Sequence, residues 1–213
     1  MKIIYQAQKE YPEKLNNIYA SPAKLYLVGD ELVLNKPSIA IIGCRDASNY
    51  GKRVAFNFAY ELAKEGFVIV SGLARGIDTY AHLGAVKANG KTIAVLGSGL
   101  KHIYPAENKE LCNEIVKKGG AVITEYEPHI KPLPMNFPSR NRIISGLSNG
   151  VLVVEAKQKS GTLITVDYAL EQGKDVFVIP GNITSTNSYG TNDLIKQGAK
   201  PVTNIQEIIE EIT

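Results

Sequence analysis

Residues 67–97 read FVIVSGLARGIDTYAHLGAVKANGKTIAVLG, a stretch that holds a strand, a helix and a second strand in immediate succession. Its two ends, FVIVSG and TIAVLG, are short β-branched apolar runs, which are typical of strands buried on both faces. Between them, residues 77–89 carry apolar side chains at helical spacing. Two apolar strands joined by a helix predict a right-handed crossover between parallel strands of one sheet.

The same alternation of strand and helix continues on both sides of this unit. Further apolar runs are SIAIIG from Ser38, AVITE from Ala121, VLVVEA from Val151 and DVFVIPG from Asp175. Helical spacing recurs over residues 54–65, 109–118 and 163–172. The pattern predicts the α/β class, with a doubly wound, mostly parallel sheet and helices on both faces.

Composition and charge limit the classes of function. The chain has 213 residues, of which 44% are apolar and 21% charged, and this suits one globular domain with a sizeable core. Its formal charge of +3 is small, so contact with nucleic acid would need a local basic patch. Cys44 and Cys112 match no disulfide or zinc-site spacing, and no apolar run approaches the roughly 18 residues of a membrane span. We therefore expect a cytoplasmic protein with no metal and no membrane contact.

The first part of the chain differs from the rest. Residues 1–37 hold few hydrophobic side chains and one predicted edge strand, at residues 25–28. Because they lack a core of their own, we predict an N-terminal extension that packs on the main domain, residues 38–213. Within that domain the proline-rich stretch EPHIKPLPMNFP, residues 127–138, predicts an extended loop.

Candidate ligand-binding residues follow the predicted strands, because open parallel sheets bind ligands outside the carboxyl ends of their strands. Glycines there allow tight turns and close approach of a ligand to the backbone, and basic side chains suit phosphate. The residues concerned are Gly43, Arg45, Ser71, Gly72, Arg75, Lys157, Ser160, Gly161 and Thr162. The last three would begin a helix, where their hydroxyl and N–H groups could hold an anion or only cap the helix.

The segment FPSRNRIISGLS, which begins at Phe137, supplies the strongest candidate for an anion site. Arg140, Asn141 and Arg142 stand at the predicted start of a helix, where free N–H groups and the helix dipole favour phosphate. Phe137 and Tyr126 lie in loops at the same edge, where an exposed ring could stack on a base. Structural ion pairs for the arginines and a core position for the phenylalanine stay open as alternatives.

Sequence features argue against an ordinary nicotinamide enzyme. The turn after the first core strand reads GCRDASNYG rather than GxGxxG, and the second strand ends at Ser71 and Gly72, where an acidic residue would meet the ribose. None of the three histidines lies in a recognised catalytic motif, and the helix dipole already explains Asp78 in a first helical turn. We expect no catalytic residue and no cofactor.

Six motifs along the chain resemble, in the same order, those of the DNA processing protein A family, also called DprA or Smf. They are IIGCRDASNYG, SGLARGID, AVLGSGLKHIYP, FPSRNRIISGLS, VVEAKQKSGTLIT and VFVIPGNI. The resemblance extends from Tyr11 to Thr203. It implies an extended Rossmann-like domain that binds single-stranded DNA without a cofactor and helps to load the recombinase RecA, and it implies no enzymatic reaction.

The resemblance also implies particular phosphate contacts. The matching positions are Arg45, Ser71, Gly72, Arg140, Asn141, Arg142, Ser160, Gly161 and Thr162, and Lys174 matches a basic position that some members use for DNA. Two departures are Cys44, where the family has a serine, and Met135 with Asn136, in a loop where relatives often carry lysine. We expect weaker DNA affinity than in those relatives.

A homodimer is a further implication of the resemblance. The expected contacts are Asp193, Leu194, Ile195, Pro201 and Val202, although these side chains could instead anchor the last predicted helix, residues 205–212, to the sheet. Many family members also carry a helical and a winged-helix domain that this chain does not match. We therefore expect only the core function to transfer.

A different class of function stays open as the alternative. The LOG-type nucleoside monophosphate phosphoribohydrolases have a PGGxGT motif that Ser160, Gly161 and Thr162 partly resemble. Only one glycine of that motif is present here, and no glutamate follows in the position for attack at a glycosidic bond. We therefore favour DNA binding over nucleotide hydrolysis or nucleotide sensing.

Overall fold

The apolar runs form the centre of a nine-stranded sheet in the computed structural model, which describes residues 1–212. The strands are β1 (Lys2–Tyr5), β2 (Lys24–Gly29), β3 (Ser38–Gly43), β4 (Val68–Ser71), β5 (Thr92–Val95), β6 (Ala121–Thr124), β7 (Gly150–Glu155), β8 (Asp175–Val178) and β9 (Lys200–Pro201). Their spatial order is β1-β2-β6-β5-β4-β3-β7-β8-β9.

Helices cover both faces of this sheet. They are α1 (Glu13–Asn16), α2 (Asn49–Lys64), α3 (Ile77–Lys87), α4 (Lys109–Lys117), α5 (Asn136–Leu147), α6 (Gly161–Glu171), α7 (Tyr189–Lys196) and α8 (Gln206–Ile212). From β3 to β9, each connection between consecutive strands contains one helix, and these strands pair in parallel. The predicted α/β class with a doubly wound, mostly parallel sheet is confirmed.

The strand order reverses beside β3. Ile39 of β3 lies opposite Ile69 of β4 on one side and opposite Gly150 of β7 on the other. The chain proceeds outward from β3 through β4, β5 and β6, and then returns to the other side of β3 with β7. Such a switch point opens a crevice at the carboxyl ends of the two strands, and this crevice is where doubly wound sheets bind ligands.

Alternate residues of β3 enter two separate hydrophobic clusters. Ala40 and Ile42 join the cluster under α5 and α6, whereas Ile39 and Ile41 join the cluster under α2 and α3. All four side chains are nearly or fully buried. Because helices cover both faces, the central strands contain no polar alternation.

Residues 1–37 add two antiparallel strands to the sheet. β1 pairs with β2, and β2 pairs with β6. The prediction of an edge strand at residues 25–28 is therefore wrong, since β2 has a neighbour on each side and β1 forms the edge. Tyr11, which is 2% exposed, anchors the intervening loop by donating a hydrogen bond from its hydroxyl to the Pro22 carbonyl at 2.7 Å. The division of the chain at residue 37 stays a prediction.

The helix that carries the basic triplet begins earlier than the sequence suggested. α5 begins at Asn136, so Arg140, Asn141 and Arg142 lie in its second turn. Their backbone N–H groups are therefore inside the helix and are not free to bind an anion. The prediction of an anion site at the helix start is therefore wrong for these three residues. The helix begins before Pro138 because proline is tolerated in the first turn of a helix.

Candidate nucleic-acid interface

A cleft of about 660 Å³ opens at the carboxyl ends of β3 and β7, at the switch point of the sheet. Nine of the sequence-predicted residues line it: Gly43, Arg45, Phe137, Arg140, Asn141, Lys157, Ser160, Gly161 and Thr162. A small hollow at its rim is lined by Gly72 and Arg75 together with Arg45 and Phe137. The structure therefore brings together loops that are more than 100 residues apart in the chain.

Arg45 is an exposed cation of this cleft. It has no carboxylate partner within residues 1–212, unlike Arg75 and Lys157. Its guanidinium lies 5.5 Å from the centre of the Phe137 ring, within the range of a cation–π contact. The neighbouring carboxylate of Asp46 pairs instead with Lys157, at 3.1 Å. Arg45 thus presents hydrogen-bond donors to the solvent, in the geometry that suits a phosphate oxygen.

An aromatic pair lies beside Arg45 at the rim of the cleft. The rings of Phe137 and Tyr104 lie 5.7 Å apart between centroids and are tilted by 57°. Tyr104 is 43% exposed. A Cβ at Gly97 would lie 2.9 Å from the Phe137 ring, so glycine is needed there to seat the ring. Tyr104 was not among the predicted residues, although its place in the loop after β5 was a signal for it.

The start of α6 forms another wall of the cleft. Ser160, Gly161 and Thr162 all line it, and the first amides of an α-helix have no partner within the helix. The Ser160 hydroxyl is buried, caps no amide and has no hydrogen-bond partner in the described residues. The alternative that the Ser160 side chain only caps the helix is therefore wrong. Free amides and the positive end of the dipole make this wall suitable for an anion.

Arg140 is a buried cation that connects two strand ends. Its side chain is part of the cleft wall, but the residue is only 3% exposed. Nη1 donates a hydrogen bond to the Gly72 carbonyl at 2.8 Å and another to the Val95 carbonyl. Burial lowers the pKa of Arg140 to about 10, and the nearby Asp78 carboxylate limits that decrease. A Cβ at Gly72 would lie 2.6 Å from Arg140 Nη2, which explains the glycine.

Two buried titratable groups lie behind Arg140. Asp78 Oδ2 accepts hydrogen bonds from the N–H groups of Gly72, at 3.1 Å, and Ala74, at 3.3 Å, and burial raises its pKa to about 6. His82 is fully buried, with Nδ1 2.7 Å from the Thr92 hydroxyl. Burial, and to a smaller extent the charge of Arg140, lowers the pKa of His82 to about 3.

These two pKa shifts predict opposite effects of pH on stability. His82 stays neutral in the folded state between its ordinary pKa of 6.5 and about 3, while the unfolded chain takes up a proton, so stability is lost as the pH falls through that range. Asp78 holds its proton more tightly when folded, so its contribution is present at low pH and is lost as the pH rises from 3.8 to about 6.

The His82→Gln variant is expected to lose less stability in acid than the unchanged protein. Without the imidazole, the decrease of up to about 1.4 kcal/mol per pH unit below pH 6.5 disappears. Urea denaturation at several pH values between 7 and 4 measures this, with the exposed His129→Gln as the control. Parallel pH profiles for His82→Gln and the unchanged protein would contradict the burial of a neutral imidazole.

Glu155, at the end of β7, positions the loop that carries Arg45. Its carboxylate accepts hydrogen bonds from the Ser48 N–H at 3.0 Å, from the Ser48 hydroxyl and from Asn187 Nδ2 at 3.1 Å. The residue is 4% exposed, and a Cβ at Gly51 would lie 2.4 Å from its carboxyl carbon. These hydrogen-bond partners could not be predicted from the sequence, since both are more than 30 residues away.

We expect the Glu155→Gln variant to lose about 1–3 kcal/mol of unfolding free energy, because its amide nitrogen cannot accept from a donor at this buried position. Urea denaturation checks the change, and the exposed Glu171→Gln is the matched control. Equal stability of the two variants would show that the carboxylate does not hold this loop.

Four predicted site residues lie outside the cleft. Ser71 is fully buried and donates its hydroxyl hydrogen to the Ile41 carbonyl at 2.7 Å. Tyr126 is half-buried, and its hydroxyl donates to the Asn136 carbonyl at 3.3 Å. The expectation that Ser71 faces a ligand is wrong, because the residue is fully buried in the core. Tyr126 contacts the first residue of α5 and does not line the cleft, and base stacking on its ring stays a prediction.

Arg142 and Lys174 are also separate from the cleft. Arg142 makes two 2.6 Å hydrogen bonds to the Glu125 carboxylate and donates from Nε to the Ala20 carbonyl. It is therefore one of the structural ion pairs that the sequence left open. Lys174 precedes β8 at the amino end of the sheet and lines a different cavity, of about 330 Å³. It does not line the cleft with the other predicted DNA contacts.

The predicted dimer contacts divide into buried and accessible residues. Leu194 is 8% exposed and Val202 is fully buried, and each belongs to a hydrophobic cluster of the core. Leu194 and Val202 are therefore core residues and not dimer contacts, in agreement with the alternative that they anchor the last helix to the sheet. Ile195 is half-buried, Asp193 pairs with Lys196 at 3.2 Å, and Pro201 is exposed on the last strand of the sheet.

The family model described as DNA recombination-mediator protein A matches residues 2–213. The chain belongs to the DNA recombination-mediator protein A family. Its resemblance to DprA/Smf proteins is confirmed by curated relatives. The chain is 45% identical over 207 residues to the DNA processing protein DprA of Bacillus subtilis, covering 97% of this chain and 69% of that protein. It is 46% identical over 202 residues to the protein Smf of Escherichia coli, covering 95% of this chain but only 54% of that protein.

Solved structures agree with this family assignment. The X-ray structure of DprA from Streptococcus pneumoniae superposes with a TM-score of 0.93 at 43% identity and covers all of this chain and 74% of the other. A structure from Helicobacter pylori, described by its single-stranded DNA binding mode, gives a TM-score of 0.88 at 34% identity, with coverage of 99% and 95%. A molybdenum cofactor binding protein from Rippkaea orientalis, at 23% identity and a TM-score of 0.58 over 83% of this chain and 95% of that one, shares the fold alone.

No helix in residues 1–212 combines the length and apolar character that crossing a membrane requires.

Proposed function

We propose that this chain binds single-stranded DNA in the cleft, with phosphates at Arg45 and at the start of α6 and a base against Tyr104 and Phe137. The observation that carries the proposal is the exposed guanidinium of Arg45 above an aromatic ring, without a carboxylate partner in residues 1–212. A strand with free bases offers both a phosphate for the cation and a π-face for the rings. In a duplex the bases are already stacked and paired.

The lining of the cleft supports this class of ligand. It includes Arg45, Lys157 and the amides at the start of α6, which suit phosphate oxygens. It also includes apolar groups from Phe137 and the proline-rich loop, which suit the bases. The single-stranded DNA binding mode described for the Helicobacter pylori relative, at 34% identity, supports the same ligand class.

Fluorescence anisotropy with labelled oligo-dT tests the proposal. We expect binding that weakens as salt rises, because phosphates release counterions when they meet the cationic wall, and that exceeds binding of a duplex of equal length. No binding at low salt would overturn the proposal. Release of free adenine from AMP would instead support the nucleoside monophosphate phosphoribohydrolase alternative.

We further propose that the chain passes its bound strand to the recombinase RecA and takes part in DNA uptake and recombination. The family description as a recombination mediator supports this partner, and we expect the activity in the cytoplasm. Sedimentation of a mixture of RecA, oligo-dT and the chain is expected to show a complex of all three. Sedimentation of RecA and the chain as separate species would overturn it.

A homodimer is also proposed, through the face that ends at β9. The outer edge of this strand has no neighbour in the described sheet, Pro201 is exposed on it, and Leu170 nearby is 61% exposed beside the cavity of about 330 Å³. Unpaired strand edges and exposed apolar side chains favour association. Equilibrium sedimentation at micromolar concentration is expected to show a dimer, and a monomer alone would overturn this proposal.

A further inference from the structure

The cations around the cleft differ in how they are paired. Arg75 donates two hydrogen bonds to the Glu107 carboxylate, from Nε at 2.8 Å and from Nη2 at 2.9 Å. Lys157 Nζ lies 3.1 Å from Asp46 Oδ2. Arg45 lines both the cleft, with Lys157, and the rim hollow, with Arg75, and it has no carboxylate partner in the described residues. Two of the three accessible cations are thus occupied by carboxylates.

Both ion pairs are exposed and lie at the cleft. The side chains of Arg75 and Glu107 are 58% and 56% exposed, and those of Lys157 and Asp46 are 44% and 92% exposed. Arg75 shares the rim hollow with Tyr104, while Lys157 lines the cleft itself. Exposed pairs of this kind contribute little to stability, because solvent screens them. Their position beside the proposed DNA path therefore indicates an effect on DNA binding rather than on stability.

We propose that Asp46 and Glu107 compete with DNA phosphates for Lys157 and Arg75, which keeps the affinity for single-stranded DNA below its maximum and speeds release of the strand. This inference rests on the proposed function. A phosphate that binds the Nε and Nη2 edge of Arg75 displaces the Glu107 carboxylate, which then stays nearby and repels the phosphate. The same exchange applies to Lys157 and Asp46. Removing a carboxylate leaves its cation free for the strand.

The Glu107→Gln and Asp46→Asn variants are expected to bind oligo-dT about threefold to tenfold more tightly than the unchanged protein. The logarithmic slope of affinity against salt concentration is expected to steepen by about one for each freed cation. Most of the gain is expected in slower dissociation, since affinity differences between variants of one interface arise mainly from the off-rate. Anisotropy titrations and stopped-flow dissociation measure these three quantities.

Two further variants separate this competition from a general change of charge. Glu110→Gln removes the same charge from an exposed position near Glu107, and it is expected to leave affinity nearly unchanged. In the double variant Arg75→Ala with Glu107→Gln, the gain from Glu107→Gln is expected to disappear, because its target cation is absent.

The outcomes distinguish the two proposals. If the unchanged protein binds oligo-dT and Glu107→Gln binds no more tightly than Glu110→Gln, the competition is refuted while DNA binding stands. A gain that persists without Arg75 also refutes it. If no protein in the series binds oligo-dT at low salt, the proposed function itself fails, and this inference fails with it.

Discussion

The Arg140→Ala variant is expected to lose about 3–5 kcal/mol of unfolding free energy. The substitution leaves the carbonyls of Gly72 and Val95 without their donor and the Asp78 carboxylate without the nearby cation, all at a position where the side chain is almost fully buried. Buried groups deprived of a charged partner retain their full desolvation cost. Urea denaturation at neutral pH, followed by circular dichroism, measures the loss.

The exposed Arg53→Ala is the matched control, with an expected change within about 0.5 kcal/mol. Arg140→Lys is expected to recover only part of the loss, because an ammonium cannot reproduce the planar fork of a guanidinium. A loss below about 1 kcal/mol for Arg140→Ala would contradict the structural role of this cation. Reduced DNA binding by this variant is therefore informative only together with its stability.

The Arg45→Glu variant is expected to bind oligo-dT about 100-fold more weakly than the unchanged protein. One charged contact to phosphate is lost, and the new carboxylate repels the strand. Because Arg45 is exposed and forms no ion pair with a carboxylate of the described residues, the fold is expected to keep its stability. Anisotropy titration measures the affinity, and urea denaturation checks the fold.

Arg53→Glu makes the same change of charge on the exposed face of α2, outside the residues that line the cleft. It is expected to weaken binding by less than about threefold, through long-range electrostatics alone. Equal loss in Arg53→Glu and Arg45→Glu would show that overall charge, rather than the cleft, governs DNA binding.

Arg140 and Arg142 show what the sequence could not determine. The two arginines are two residues apart, so on a helix their side chains point in directions about 200° apart. Arg140 therefore lines the cleft, whereas Arg142 reaches Glu125 and the Ala20 carbonyl on another side. The sequence showed three neighbouring residues of one basic cluster but not that their side chains lie on different faces of α5. The predicted start of this helix was too late in the chain, so the three residues were expected at its open end.

The central strands, by contrast, were predictable. Apolar runs such as residues 38–43 can be buried only in a sheet covered on both faces, and their carboxyl ends had to meet at one edge. Arg45 and Ser160 were therefore expected at one edge of the sheet, and both line the cleft. The aromatic contact of Tyr104 and the hydrogen bonds of Glu155 could not be predicted, because they depend on partners that only the folded chain brings close.

The location of bound DNA on the unchanged protein tests the central claim most directly. Hydrogen exchange, measured by mass spectrometry with and without saturating oligo-dT, reports which backbone amides the strand protects. Slower exchange is expected at residues 43–46 and 160–162, which border the cleft, and no change is expected around Lys174. Protection confined to Lys174 and the amino end of the sheet, with none at the cleft, would contradict the proposed binding site.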